Sequence, residues 1–162
     1  MGRITFMNDS FSHLNESGEA SMVDVSNRDI TKRAAIASAL VTASPETIAA
    51  VKEMQIKKGD VIGTARIAGI LAAKKTSELI PLCHPIAIHN ISLDFYFTRD
   101  SISITSEVVT VDRTGVEMEA LTAVSVAALT VFDMIKSVDS YAVISDIQMV
   151  SKSGGKNGDW QR

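Results

Sequence analysis

Residues 90–111 read NISLDFYFTRDSISITSEVVTV. In the first half, Ile91, Leu93, Phe95 and Phe97 share one face and Asn90, Ser92, Asp94 and Tyr96 the other. That period of two marks a half-buried strand. A turn at Asp100-Ser101 returns the chain through a second strand. There Ile102, Ile104 and Val108 alternate before Val109 and Val111 shift phase, and a β-bulge near Val108 accounts for the shift. The pair is an antiparallel hairpin, and the elements around it define the architecture.

Downstream, GVEMEALTAVSVAALTVFDMIKSV (115–138) reads as one long helix with no ionisable residue from Ala120 to Phe132. YAVISDIQMV (141–150) follows as a last strand. Upstream, Ser21 to Ser26 alternates Val23 and Val25 against Asp24 and reads as a short strand. ASPETIAAVKEM starts a helix, with Ser44 as its cap, Pro45 in its first turn, and Lys57, Lys58 and a left-handed Gly59 closing it. Asp60 caps a second helix from Val61 to about Ser77. Thr31 to Val41 is Ala-rich, and helix is one reading of it. The order strand, helices, hairpin, helix, strand predicts an α+β fold, a ferredoxin-like β-α-β-β-α-β sandwich with an extra helix in the first crossover. The organisation expected is a mobile N-terminal extension over 1–20, one α+β domain over 21–150, and a Gly/Lys-rich C-terminal loop over 151–162.

The chain has 162 residues, 46% hydrophobic, with a net charge of −3 and a pI near 5.6. That is one ordinary domain with enough apolar side chains for a core. No basic excess draws it to nucleic acid or an anionic membrane. No apolar run approaches the ~20 residues of a membrane span, and the polar N-terminus lacks the apolar run of a signal peptide. One cysteine, Cys83, permits no internal disulfide and fits a reducing cytoplasm.

The long helix carries charge only at its ends. Its middle is apolar nearly all round, so more than one side is buried. Ala120, Ala123, Ala127 and Ala128 leave room for a close neighbour, either another subunit or the chain's own crossover helix. Glu119 and Asp133 share a side but stand ~21 Å apart along the axis. One small reaction centre cannot reach both unless helices from two subunits run antiparallel. Glu117 and Glu119 suit the positive end and Lys136 the negative end, so the helix dipole alone explains them. Asp133 is an acid at the wrong end, though it can pair with Lys136 at i,i+3.

Elsewhere, Pro81 and Pro85 bracket Cys83 and His84 and fix their backbone. A packed loop histidine is an equally good account of that motif. With three histidines and no paired ligand spacing, no metal site is expected. KSGGKNGD sets Lys152 and Lys156 around Gly154, Gly155 and Gly158, a composition suited to phosphate but not a Walker A loop. Arg33 and Lys58 add two cations. Pattern alone stops at an anion-binding α+β domain.

VDVS, KKGDVIGTARIAGILAAKKTSELIPLCHP, TGVEMEALTAVSVAALTVFDMIK and KSGGKNGD together resemble the cyclic pyranopterin monophosphate synthases of molybdenum cofactor biosynthesis, over about Met22 to Asp159. The resemblance implies a ferredoxin-like subunit in a hexamer of three dimers, with sites at the dimer interface and no cofactor. It implies a substrate, 3′,8-cyclo-7,8-dihydro-GTP, made by a radical SAM GTP cyclase, and the products cyclic pyranopterin monophosphate and diphosphate. Lys58 and Lys136 would be catalytic, with Asp133 orienting Lys136 or shuttling a proton. Arg33, Cys83, His84, Lys152 and Lys156 would bind substrate, joined by Glu117, Met118 and Glu119 in roles left open. Phe132 and Ile135 stand where Tyr and Cys are expected. Two other classes compete: a non-catalytic module binding an anionic metabolite, and a structural oligomer.

Overall fold

The computed structural model describes residues 13–15, 17–155 and 158–162. Nine elements follow in order: β1 (Thr31–Thr42), α1 (Pro45–Lys52), α2 (Val61–Ala73), α3 (Thr76–Leu79), β2 (Ile88–Phe97), β3 (Ser101–Asp112), α4 (Glu117–Ile135), β4 (Val143–Ser153) and β5 (Trp160–Gln161). The sheet order is β2-β3-β1-β4-β5, antiparallel throughout. This is the ferredoxin-like α+β sandwich, with α2 packed beside α4 and the short α1 an additional helix in the first crossover.

The plan's first strand is not Ser21–Ser26. That segment is irregular and has no ladder partner, although Val23 and Val25 do turn inward and Asp24 outward. The strand is the Ala-rich stretch, β1. Helix propensity loses there because β1 is central and pairs with both β3 and β4. Ala35, Ala37, Ala39 and Val41 are buried on its inner face. Their small size lets α4 lie close over the sheet.

The bulge expected near Val108 is not on β3. Inward positions continue without a break through Ile102, Ile104, Ser106, Val108 and Thr110, all buried. Two polar residues in that row disguise the period. Each is satisfied: the Ser106 hydroxyl donates to the Ala120 carbonyl at 2.8 Å and the Thr110 hydroxyl to that of Ala87 at 2.6 Å. The irregularity lies on β2, where His89 is extra between the pairs Ile88–Thr110 and Asn90–Val109.

Ser44 caps α1 by accepting from the Thr47 amide at 3.3 Å, and Asp60 caps α2 through the Gly63 amide at 2.8 Å. The first helix ends at Lys52, before Met54 turns with φ 58°, so Lys57–Gly59 forms a separate turn, with Gly59 left-handed at φ 100° as expected. The second stops at Ala73, with α3 a single further turn. The C-terminal stretch is not all loop: β4 runs through Ser153, and β5 pairs with it.

Of the two neighbours allowed for the alanines of α4, the chain's own α2 is present. A Cβ on Gly69 would sit 2.9 Å from the Ala123 carbonyl and 2.6 Å from Leu93 Cδ2, so backbone meets backbone at that crossing. By length and composition alone α4, 19 residues with a mean hydropathy of 1.6 over an 18-residue window, could cross a membrane. Half of that window is buried inside the chain, as befits a core helix.

Candidate active site

The sequence-derived candidates collect at the two ends of α4. At its C-terminal end, Asp133 is shared by two lysines. Lys136 Nζ donates to Oδ1 at 2.7 Å, and Lys58 Nζ donates to Oδ2 at 3.2 Å and to the Asp133 carbonyl at 2.6 Å. Lys136 is the C-cap of α4, one turn beyond Asp133. Lys58 arrives from the turn before α2, where Gly59 reverses the chain. Hydrogen bonds from Lys136 and then Lys58 hold the Asp133 carboxyl below the usual carboxylate range. The cluster is exposed, with two cations to one anion. A negative ligand would find it already arranged.

At the N-terminal end lies a cavity of about 740 Å³, lined by Arg28, Arg33, Glu117, Lys152, Gly154 and Gly155 among others. Arg33 is held by donating Nε to the Asp112 carbonyl at 3.0 Å. Gly154 and Gly155 have φ of 82° and 86°, and a Cβ on either would strike Lys32 or Arg33. Glycine is therefore required for this loop to lie against the arginine. Asp159 accepts from the Gly154 amide at 2.9 Å. Lys152 pairs with Glu117 at 3.1 Å. Lys156 lies outside the described residues.

A second cavity, of about 250 Å³, shares Arg28, Thr114, Gly115 and Glu117 with the first and adds Cys83, His84, Met118 and Glu119. Glu119 is 4% exposed and lines this cavity and a third, which also contains His84. Burial pushes its carboxyl up to about 7, against a lowering by a backbone amide, and the charge of Glu117 adds to the rise. Burial, then Glu119, raises the Cys83 thiol, which disfavours a nucleophilic thiolate. His84 Nε2 donates to the Val23 carbonyl at 2.9 Å. A carbonyl only accepts, so Nε2 carries the proton and Nδ1 is the acceptor of the neutral ring.

Thus Arg33, Cys83, His84, Glu117, Met118, Glu119 and Lys152 come together, and so do Lys58, Asp133 and Lys136. The two groups stand ~21 Å apart along one helix. Two arginines were missed. Arg28 lines both cavities, and the half-buried Arg113 donates Nη1 to the Ser26 carbonyl and to that of Arg28, the latter at 2.8 Å. The only sequence signal was their position beside the VDVS and TGVEME blocks.

Comparisons with known proteins identify the family. The MoaC family model matches residues 22–155. A cyclic pyranopterin monophosphate synthase of Streptomyces avermitilis is 53% identical over 95% of this chain and 91% of its own length. One from Streptomyces griseus is 55% identical over 93% and 85%, and one from Brevibacillus brevis 50% over 96% and 98%. The match spans both ends of α4 and the segments that pack against them, and on that ground the chain belongs to the MoaC family.

Proposed function

We propose that this protein converts 3′,8-cyclo-7,8-dihydro-GTP into cyclic pyranopterin monophosphate with release of diphosphate, a lyase step of molybdenum cofactor biosynthesis in the cytoplasm, on substrate supplied by a radical SAM GTP cyclase. The observation that carries the reading is the pairing of a shared-carboxylate dilysine cluster with a cation-bearing, glycine-edged cavity. The names of the relatives point the same way.

In this reading Arg33, Lys152 and the glycine loop neutralise the triphosphate. A sugar hydroxyl attacks the α-phosphorus, the bond to diphosphate breaks, and cations stabilise the leaving group. Lys58 and Lys136 move protons at the purine and at the closing phosphate, with Asp133 holding both ammonium groups in place. Glu119, with a pKa of about 7, exchanges protons at neutral pH, and His84 Nδ1 accepts one. Opening and rebuilding the purine ring is hydrolysis and rearrangement without net redox change.

The ~21 Å between the ends of α4 is too far for one nucleotide to bridge along a single helix. That separation favours an oligomer in which the dilysine end of one copy completes the cavity end of another, and the family resemblance implies a hexamer of three dimers. Diphosphate release from the cyclised nucleotide tests the chemistry. Turnover is expected from the wild type and is lost in Lys58→Ala and Lys136→Ala. Turnover in both variants equal to wild type contradicts the site. Nucleotide binding without any turnover favours a non-catalytic metabolite-binding module.

A further inference from the structure

We propose that Arg113 is a positioning residue for His84: it pins the Val23–Arg28 segment, and the pinned Val23 carbonyl fixes the imidazole as its Nε2–H tautomer. This rests on the reading of His84 as part of the site.

Residues 21–30 belong to no strand and pair with no ladder. Something else must hold a segment that forms one wall of the second cavity through Val23, Val25 and Arg28. Arg113 supplies it. One guanidinium nitrogen serves two carbonyls, those of Ser26 and Arg28. Arg113 itself stands directly after β3, its amide donating to Asp112 Oδ1 at 2.6 Å. Asp112 thus anchors Arg113 through its carboxylate and Arg33 through its carbonyl. Within the segment, Asp24 Oδ1 accepts from the Ser26 amide at 2.8 Å and the Arg28 amide donates to the Val25 carbonyl at 3.0 Å, which folds it into a turn. The turn presents Val23 to His84 at 2.9 Å.

A neutral imidazole has two tautomers, and the hydrogen bond made by one nitrogen decides what the other can do. With Nε2 donating to Val23, Nδ1 is the acceptor. Releasing the segment removes the only hydrogen bond to the His84 side chain among the described residues, and the tautomer is then free to average. The same release loosens Arg28, which lines both cavities.

The test is ¹⁵N-histidine NMR of the full chain, unliganded, at a pH where imidazole is neutral, with His84→Gln to assign the signal. Wild type is expected to show protonated Nε2 and unprotonated Nδ1. Arg113→Gln is expected to move both nitrogens toward averaged shifts, while Arg113→Lys, which keeps a donor, stays nearer wild type. Asp24→Ala loosens the same turn from its other side and gives a smaller change in the same direction. It also serves if Arg113→Gln does not fold. With cyclised nucleotide, Arg113→Gln is expected to lower kcat by roughly tenfold with a change in KM of less than about threefold. A His84 signal that stays at its wild-type shifts in every folded variant overturns the proposal. Changed shifts with an unchanged kcat keep the pinning and remove His84 from the chemistry, so the two readings fail separately.

Discussion

The two ends of α4 solve opposite electrostatic problems. At the C-terminal end the charges stand in water: Asp133, Lys58 and Lys136 are all substantially exposed, and the carboxyl is driven down by its two partners. At the N-terminal end a carboxyl, Glu119, is buried and driven up, with Glu117 near it and no ion pair of its own among the described residues. An exposed ion cluster adds little to stability because water and salt compete with it. A buried carboxyl with a raised pKa opposes folding whenever it ionises. Neither arrangement helps the fold much, and side chains placed without benefit to stability are candidates for function.

The largest effect expected belongs to the exposed end. Lys58→Ala and Lys136→Ala should each lower diphosphate-releasing turnover by about 10²- to 10⁴-fold, the range for a lost acid–base group. Circular dichroism and melting should stay close to wild type. A variant that melts early instead would assign these lysines to the fold and erase the contrast between the ends.

Glu119 sharpens the contrast through pH. Its folded pKa of about 7 lies above the ordinary 4.5. The folded state therefore holds the proton more tightly than the unfolded one. The associated stability is full below pH 4.5, declines through the window up to about 7, and is absent above it. By linkage the decline is on the order of 3 kcal/mol. Glu119→Gln should flatten denaturant midpoints measured across that window. A slope equal to wild type would show that Glu119 ionises freely.

The crossing that separates the two ends comes next. Gly69→Ala puts a methyl against Leu93 and the Ala123 carbonyl and should cost about 1–3 kcal/mol in urea unfolding. Nucleotide affinity should be little changed. The smallest effect is that of salt. Raising ionic strength should leave the melting temperature of Asp133→Asn and wild type equally placed, because the pair it would screen already stands in water. A salt-dependent gap between them would mean the cluster is structural.

Legibility in the sequence followed how local each cause was. Ser44 and Asp60 were readable as caps because a cap is a contact over three residues. The Ile91–Phe97 alternation and the uncharged run of α4 were readable for the same reason. β1 was not, because what makes an Ala-rich stretch a strand is pairing with β3 and β4, which lie far along the chain. Val23 and Val25 showed a true alternation with no partner to make it a strand. Ser106 and Thr110 broke the apolar row of β3 because their partners, the carbonyls of Ala120 and Ala87, cannot be seen in a pattern.

The site divides likewise. The pairing of Asp133 with Lys136 followed from i,i+3 spacing, and their separation from Glu119 from the rise of the helix. Lys58 joins them across 75 positions, and only resemblance to the family suggested it. Arg28 and Arg113 went unnoticed because a guanidinium that binds backbone carbonyls requires no particular residue opposite it, and so leaves no pair to read.

The central claim is that one working site takes its dilysine end from one copy and its cavity end from another. Mixing Lys136→Ala with Arg33→Ala after joint refolding tests it most directly, through diphosphate release from the cyclised nucleotide. Each variant alone is expected to be nearly inactive, while the mixture recovers on the order of a quarter of wild-type turnover, as random pairing of copies about a two-fold axis gives. A mixture no more active than the two variants measured apart would contradict a site shared between copies.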